Sequence, residues 1–270
     1  MPLSLHAARH GALRIAAHRG FSRHFPENTI LAYQAGIDAG ANECEIDLVL
    51  TRDDQIVVMH DLTLPRTTNG WGLVADHDLK DILTLDAGAK FDPRFAGTPV
   101  PTFAEVIDWA KKTDTRLAVE MKERERSDRM ADVMIDVIRE AEAFAYVAIS
   151  SFDHHDLRRV KQIEPRLQTE AIVYHRPIGL IDSMLAGKID GVSLELQHFH
   201  PADVEALQEA GIAVRLSLPL PDRLAVFWQS GRDKLPMIRG CIKDGMIDAL
   251  IGDDVDFLRM LATSAAELKG

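Results

Sequence analysis

The sequence predicts an α/β fold, a closed (β/α)8 barrel of the TIM type with a small insertion after its second strand and hairpin. Three observations lead there. Eight strand-like runs, at 13–18, 43–50, 116–122, 146–151, 169–174, 190–196, 213–218 and 247–253, are each followed by a helical stretch. Regular β/α alternation implies a parallel sheet, and eight units match a closed barrel. The chain has 270 residues, an ordinary size for one such barrel. The rival is an open doubly wound sheet, but no G-x-G-x-x-G follows the first strand, so its dinucleotide-binding version loses support. Residues 1–270 are therefore expected to form one domain, with 61–101 as the insertion.

Each element has a local reason. LRIAAH makes the first strand and stops at Arg19-Gly20. A helix follows through TILAYQAGIDAG, with Asn28 as the expected N-cap and Gly40 as its stop. Two β-rich runs in ECEIDLVLTRDDQIVVMHD flank Arg52-Asp53-Asp54-Gln55, which reads as a hairpin turn. A turn centred between Asp53 and Asp54 would set Val49 opposite Val58, Leu48 opposite Met59 and Asp47 opposite His60. Residues 61–101 are rich in Gly, Pro, Thr and Asp and fit no β/α spacing. Thr102 and Glu105 form a capping-box signature before FAEVIDWAKK. After the strand RLAVEMK, Met130, Val133, Met134, Val137, Ile138 and Ala141 recur at the spacing of one helix face and read as core. The alternation then continues to the strand IDALIGDD and a closing helix through DFLRMLATSAAEL.

Composition narrows the function classes. The chain is 46% hydrophobic and 27% charged, ordinary globular values that exclude a disordered or fibrous protein. With 31 Lys+Arg against 42 Asp+Glu, the net charge is −11, which argues against a nucleic-acid partner because such binding neutralises phosphates. A local basic pocket for one phosphate remains compatible. Cys44 and Cys241 lie in apolar surroundings and read as reduced core thiols. No apolar run approaches the roughly 20 residues of a spanning helix. The N-terminal stretch has no uninterrupted apolar core, so no secretory signal is expected and the cytoplasm is the expected location. Whether the chain forms a homo-oligomer stays open.

Chemistry in a barrel sits where strands end at the C-terminal face. The first strand ends in His18-Arg19, the second carries Glu45 and Asp47, and the third carries Glu120 and Lys122. Each pair on the second and third strands is two residues apart and so on one side. Carboxylates alternating with Cys44, Ile46, Leu48, Val119 and Met121 must be paired or hold a metal. Taken singly, Glu120 and Lys122 could be an ion pair, and Glu45 with Asp47 could hold helix N-termini. Together with His60, returned by the hairpin, they form a set of three carboxylates, two histidines, one arginine and one lysine. Three carboxylates suit a hard divalent cation, Mg²⁺ or Ca²⁺, better than zinc. Arg19 and Lys122 suit an anionic oxygen, and two histidines suit general acid–base work. This is a kit for phosphoryl chemistry. Glu195, two after Ser193 at a later strand end, is a further substrate-contact candidate, whereas His175, His198 and His200 read as structural or exposed.

These segments resemble the glycerophosphodiester phosphodiesterase family. The similarity is carried by HRGFSRHFPENT, ECEIDLVLTRDDQIVVMHD, TLPRTTNGWG, PTFAEVIDWA and LAVEMK, with AISSF and GMIDALIGDD further on. It is dense over 14–122 and thin after about 152. The resemblance implies a barrel, His18 and His60 as the acid–base pair, and Glu45, Asp47 and Glu120 as ligands of Mg²⁺ or Ca²⁺. It also implies Arg19 and Lys122 as phosphate contacts, and a small-molecule phosphodiester cleaved to an alcohol and glycerol phosphate. Which histidine is acid and which base stays open. Three departures stand out. Pro65 replaces the family's usual Asp. The penultimate strand ends in VRLSLPLPD rather than an aromatic segment, leaving Trp71 and Trp228 as the loop aromatics able to substitute. The last strand ends in Gly252-Asp253-Asp254, where Asp253 is expected to start the closing helix. The altered strand end keeps alternatives open: a lyase or transferase giving a cyclic phosphate, or a sugar phosphodiesterase. A non-enzymatic binding module is disfavoured, because it has little use for two histidines beside a metal site.

Overall fold

The structure, a computed structural model, describes residues 4–7, 13–224 and 233–267. Its strands are β1 (Arg14–His18), β2 (Glu43–Leu50), β3 (Ile56–Val58), β4 (Arg116–Met121), β5 (Val147–Ser151), β6 (Gln168–Val173), β7 (Gly191–Glu195), β8 (Ala213–Ser217) and β9 (Ala249–Gly252). The helices are α1 (Ile30–Asp38), α2 (Leu79–Ile82), α3 (Phe103–Thr113), α4 (Ser127–Glu140), α5 (His154–Ile163), α6 (Leu180–Gly187), α7 (Pro201–Glu209), α8 (Leu235–Lys243) and α9 (Val255–Glu267). The sheet runs β1-β9-β8-β7-β6-β5-β4-β2, and β1 also pairs with β2, so it closes. Every pairing in that ring is parallel, and β3 is added antiparallel to the outside of the order, on β2. The barrel expected from the β/α alternation is the observed fold.

The two-residue period of the strands divides the core. On β2, Cys44, Ile46, Leu48 and Leu50 join Ile15, Ala17, Leu117, Val119 and the helix side chains in one apolar cluster. Glu43, Glu45 and Asp47 alternate with them and point into the barrel. Glu43 goes to the N-terminal end of the barrel. There Arg14 Nη1 and Arg215 Nη2 each lie 2.6 Å from one of its oxygens, and Arg215 Nε lies 2.6 Å from Glu170 Oε1. Arg14 also donates to the Leu5 carbonyl at 2.8 Å, and Leu5 packs on Ala148 and Ala213.

This network is fully enclosed, with Arg215 only 2% exposed, so removing one partner strands the others without water. Arg215→Met is expected to destabilise the fold by about 3–5 kcal/mol, the scale for breaking a buried pair; a denaturant midpoint within error of wild type would contradict it. Burial pushes the Glu43 carboxyl up, but Arg14 and Arg215 outweigh this and hold it down to about 2. A depressed carboxylate contributes stability that is present above the ordinary value near 4.3 and is lost as pH falls toward the folded value. Wild-type stability should therefore fall as the pH drops from about 4 toward 2, and this part of the acid loss should shrink in the variant.

Several local expectations are met and two are corrected. Thr102 and Glu105 form the capping box of α3, Met130, Met134 and Ile138 are buried on α4, and both cysteines are free and buried. The N-cap of α1 is Thr29, whose hydroxyl accepts from the Ala32 amide; Asn28 is drawn instead to Asp47. The hairpin register is one residue away from the expected one, with Leu48 opposite Val58 rather than Met59. The turn is longer than the two-residue kind: Thr51 and Gln55 bond across it, and Asp54 takes the left-handed conformation that such three-residue loops use. The ladder ends at Val58, and Met59 donates to the Asp47 carbonyl at 2.9 Å before His60 leaves the strand.

Residues 61–101 interrupt the β/α alternation with α2 and two short 3-10 turns, Val74–Asp76 and Pro93–Phe95. Leu64, Val74, Ile82, Ala87 and Val100 form their own small apolar cluster on Val49, Val57 and Met59. Among the described residues no helix is long and apolar enough to cross a membrane.

Candidate active site

Strand register brings the charged residues together. His18 is aligned with Glu45 across β1 and β2, and Asp47 with Glu120 across β2 and β4. One oxygen from each of Glu45, Asp47 and Glu120 lies within 4.8 Å of the other two, and all three side chains are buried. Lys122 follows β4 and ion-pairs with Glu120 and, at 3.1 Å, with Asp47 Oδ1. Arg19 Nε is 3.3 Å from Asp47 Oδ2, and the Arg19 amide donates to Glu45 Oε2 at 3.0 Å.

The turn after β1 is built for this. Gly20 sits against α1 at φ +83, where a Cβ would lie 2.6 Å from Ala32. Arg19 and Asn28 both take left-handed backbone at φ 57, a conformation that non-glycine residues hold only when their surroundings impose it. The Asn28 amide nitrogen donates to the Arg19 carbonyl at 3.0 Å, while its side chain donates to Asp47 Oδ2 at 2.7 Å and accepts from Tyr33.

Both histidines are anchored in the same way. His18 Nδ1 is 2.6 Å from Asp253 Oδ1, which also accepts from Ser22, and its Nε2 is 3.9 Å from Glu45 Oε2. His60 Nδ1 is 2.6 Å from Asp61 Oδ1. An ionised carboxylate only accepts, so each ring keeps a proton on Nδ1 and leaves Nε2 for other work. Sequence reasoning missed both carboxylates as partners. Asp253 is not the expected helix-start residue: Asp254 caps α9 by accepting from the Phe257 amide at 3.1 Å. The HD pair at 60–61 carried a readable signal for Asp61, whereas nothing local marked Asp253, which is 235 residues from His18.

The electrostatics follow from burial and crowding. Burial and the neighbouring Asp47 push Glu45 up to about 8, and the same two causes raise Glu120. Asp47 is buried as deeply, but Lys122, Arg19 and His60 outweigh the desolvation and hold it down. Burial lowers His60, and Arg19 and Lys122 add to this beyond what Asp47 and Asp61 restore. For His18, burial is outweighed by the Asp253 hydrogen bond and Glu45, so its value is raised. Burial and mutual repulsion disfavour full ionisation of three carboxylates this close, and a further cation would offset both. Glu45 Oε1 and Asp47 Oδ1 are buried and accept no hydrogen bond, although Lys122 makes its ion pair with the latter. Oxygen-only donors with free lone pairs fit a hard divalent cation.

Glu195 ends β7, half-buried; burial raises it, while a hydrogen bond from Ser217 and the charge of His18 act the other way. Trp71 is 78% exposed, and Trp228 lies outside the described residues. Aromatic surface stands elsewhere at the strand ends: Phe152 and Tyr174, after β5 and β6, stack with centroids 4.5 Å apart, and Lys122 Nζ is 5.7 Å from the Phe152 centroid.

Comparison with known proteins bears on the family and the fold. The profile of the glycerophosphoryl diester phosphodiesterase family matches residues 18–216. A glycerophosphodiester phosphodiesterase of Caldanaerobacter subterraneus subsp. tengcongensis is 37% identical over 202 residues, covering 73% of this chain and 82% of that protein. One from Bacillus subtilis is 37% identical over 167 residues, 57% of each chain. Among solved structures, a phosphodiesterase from Oleispira antarctica, in complex with the product sn-glycerol-3-phosphate, superposes with a TM-score of 0.79 at 23% identity, covering 96% of this chain and 99% of that one. A glycerophosphodiester phosphodiesterase from Agrobacterium tumefaciens gives 0.70 at 22%, covering 93% and 99%. These two likenesses speak to the fold, and the sequence matches speak to the family. The chain belongs to the glycerophosphoryl diester phosphodiesterase family.

Proposed function

We propose that this protein hydrolyses a small glycerophosphodiester to an alcohol and glycerol phosphate, using a divalent metal and two histidines. The observation that carries the reading is one constellation: three buried carboxylates within 4.8 Å, flanked by two histidines whose Nδ1 atoms are tied to carboxylates. Glu45, Asp47 and Glu120 would hold the metal. When bound, it would supply a positive centre for a non-bridging phosphate oxygen. Arg19 and Lys122 lie against the same carboxylates and would offset charge growing on phosphorus. One imidazole Nε2 takes a proton from the attacking hydroxyl, and the other gives one to the leaving alkoxide; if that hydroxyl is the glycerol's own, the cyclic phosphate formed is then opened by water to glycerol phosphate. Glu195 and the Phe152–Tyr174 stack stand at the strand ends where the two arms of a diester would lie.

A metal-replete screen of glycerophosphodiesters with different head groups, followed by phosphorus NMR, tests the reading. Glycerol phosphate and free alcohol are expected. A cyclic phosphate as the final product would replace hydrolysis by a lyase reaction, and no turnover of any member would overturn the proposal. The ligand set has its own test. Glu120→Gln should weaken Mg²⁺ or Ca²⁺ binding at least tenfold by calorimetry, about 1.4 kcal/mol. Unchanged affinity would remove Glu120 from the set.

A further inference from the structure

Residues 61–101 reach the catalytic groups through Asp61 and, behind it, Arg66. Arg66 donates to Asp61 twice, from Nε to Oδ2 at 2.7 Å and from Nη2 to Oδ1 at 3.0 Å. It donates to Glu27 twice as well, from Nη1 to Oε2 and from Nη2 to Oε1, both at 2.7 Å. Asp61 is the carboxylate on His60 Nδ1, and Glu27 is the carboxylate that accepts from Arg19 Nη1 at 3.1 Å. One guanidinium therefore stands behind the partner of a histidine and the partner of the phosphate-side arginine.

The geometry explains why an arginine is needed. A guanidinium is planar and its donors have a fixed fork, so two-point contact sets the plane of a carboxylate as well as its position. Asp61 is 27% exposed, and without Arg66 water would solvate it in several orientations. Its oxygen would then no longer be held in line with His60 Nδ1. The loop that carries Arg66 is itself tied down: Lys90 donates to the Pro65 carbonyl, and the Thr68 amide and hydroxyl both donate to the Leu64 carbonyl.

We propose that Arg66 is a positioning residue for the reaction. It holds Asp61 so that His60 keeps its proton on Nδ1 and presents Nε2, and it holds Glu27 so that Arg19 stays turned toward Asp47. This rests on the hydrolase reading above. It also gives residues 61–101 a role, because the insertion supplies the support for a catalytic group rather than only covering the barrel.

The experiment compares Arg66→Gln, Arg66→Lys, Asp61→Asn and the Asp61→Asn/Arg66→Gln double variant, with Lys80→Gln as a charge-loss control on α2. Arg66→Gln should lower kcat/KM by roughly 10–100-fold, the scale for removing an outer partner of a working histidine. Arg66→Lys should not restore it, because an ammonium lacks the fork. The double variant should lose less than the product of the two single losses. Lys80→Gln should keep wild-type kcat/KM. A second readout needs no turnover: imidazole ¹⁵N spectra of labelled protein at about pH 9, above the ordinary histidine range. His60 should report its proton on Nδ1 in the wild type and a mixed tautomer in Arg66→Gln. Wild-type kinetics in Arg66→Gln, or full additivity with Asp61→Asn and unchanged His60 signals, would overturn the proposal. If the wild type cleaves no glycerophosphodiester, the hydrolase reading fails, while the ring signals still decide whether Arg66 sets His60.

Discussion

Chelation of divalent metal is expected to abolish turnover, by roughly 10³-fold or more, and Mg²⁺ or Ca²⁺ should restore it. The expectation comes from the donor set. Glu45, Asp47 and Glu120 are buried together, and their only cationic neighbours, among the described residues, are Lys122, Arg19 and the histidines. A cation joining this cluster offsets the burial and the Asp47 repulsion that together push Glu45 up to about 8. Binding should thus also stabilise the fold, by about 2.7 kcal/mol at a metal concentration of 100 times Kd. Thermal unfolding with and without metal checks this without any substrate. Full activity after exhaustive chelation, with an unmoved melting temperature, would defeat the metal assignment.

Alanine at His18 or at His60 should each cost roughly 10²–10⁴-fold in kcat/KM, the usual scale for a positioned acid or base. Two opposed roles also predict a bell-shaped pH dependence. Their surroundings give the expected assignment of the two roles. Burial, Arg19 and Lys122 hold His60 below the usual histidine value, which favours a neutral ring and the base. Against the pull of burial, Asp253 and Glu45 hold His18 above it, which favours a protonated ring and the acid. A p-nitrophenyl diester distinguishes them, because its leaving group needs no proton. His18→Ala should recover much of its loss on that substrate and His60→Ala should not. The reverse pattern would exchange the assignment, and recovery by neither or by both would end the proposed division of labour.

Much of the site was legible because strand periodicity is a local property. Glu45 and Asp47, like Glu120 and Lys122, are two apart in apolar runs, so their shared side follows from sequence alone. His60 was reached by a register one residue off. The error did little harm, because the ladder ends at Val58 and the chain is free to turn His60 toward Asp47. A slip within the ladder would have sent it to the other face. Asn28 was misread for a similar reason. Its short polar side chain suits an N-cap, but the left-handed backbone at that position aims it at Asp47, and the neighbouring Thr29 caps the helix.

What the sequence determined by itself was the barrel and the inventory of its mouth: His18, Arg19, Glu45, Asp47, Glu120 and Lys122 at the ends of three strands. Alternation of strand and helix, and alternation of side chains along a strand, are sufficient for that. Only the tertiary structure decided which carboxylate serves which partner. Closure of the barrel brings Asp253 to His18 from 235 residues away and carries Glu43 off to Arg14 and Arg215 at the far end. The fold of 61–101 brings Arg66 to Glu27 across 39 residues. Chain spacing reports which face a side chain takes. Whether an acid there meets an arginine, a histidine or other acids depends on how the whole sheet closes, and that closure sets the electrostatics of the site.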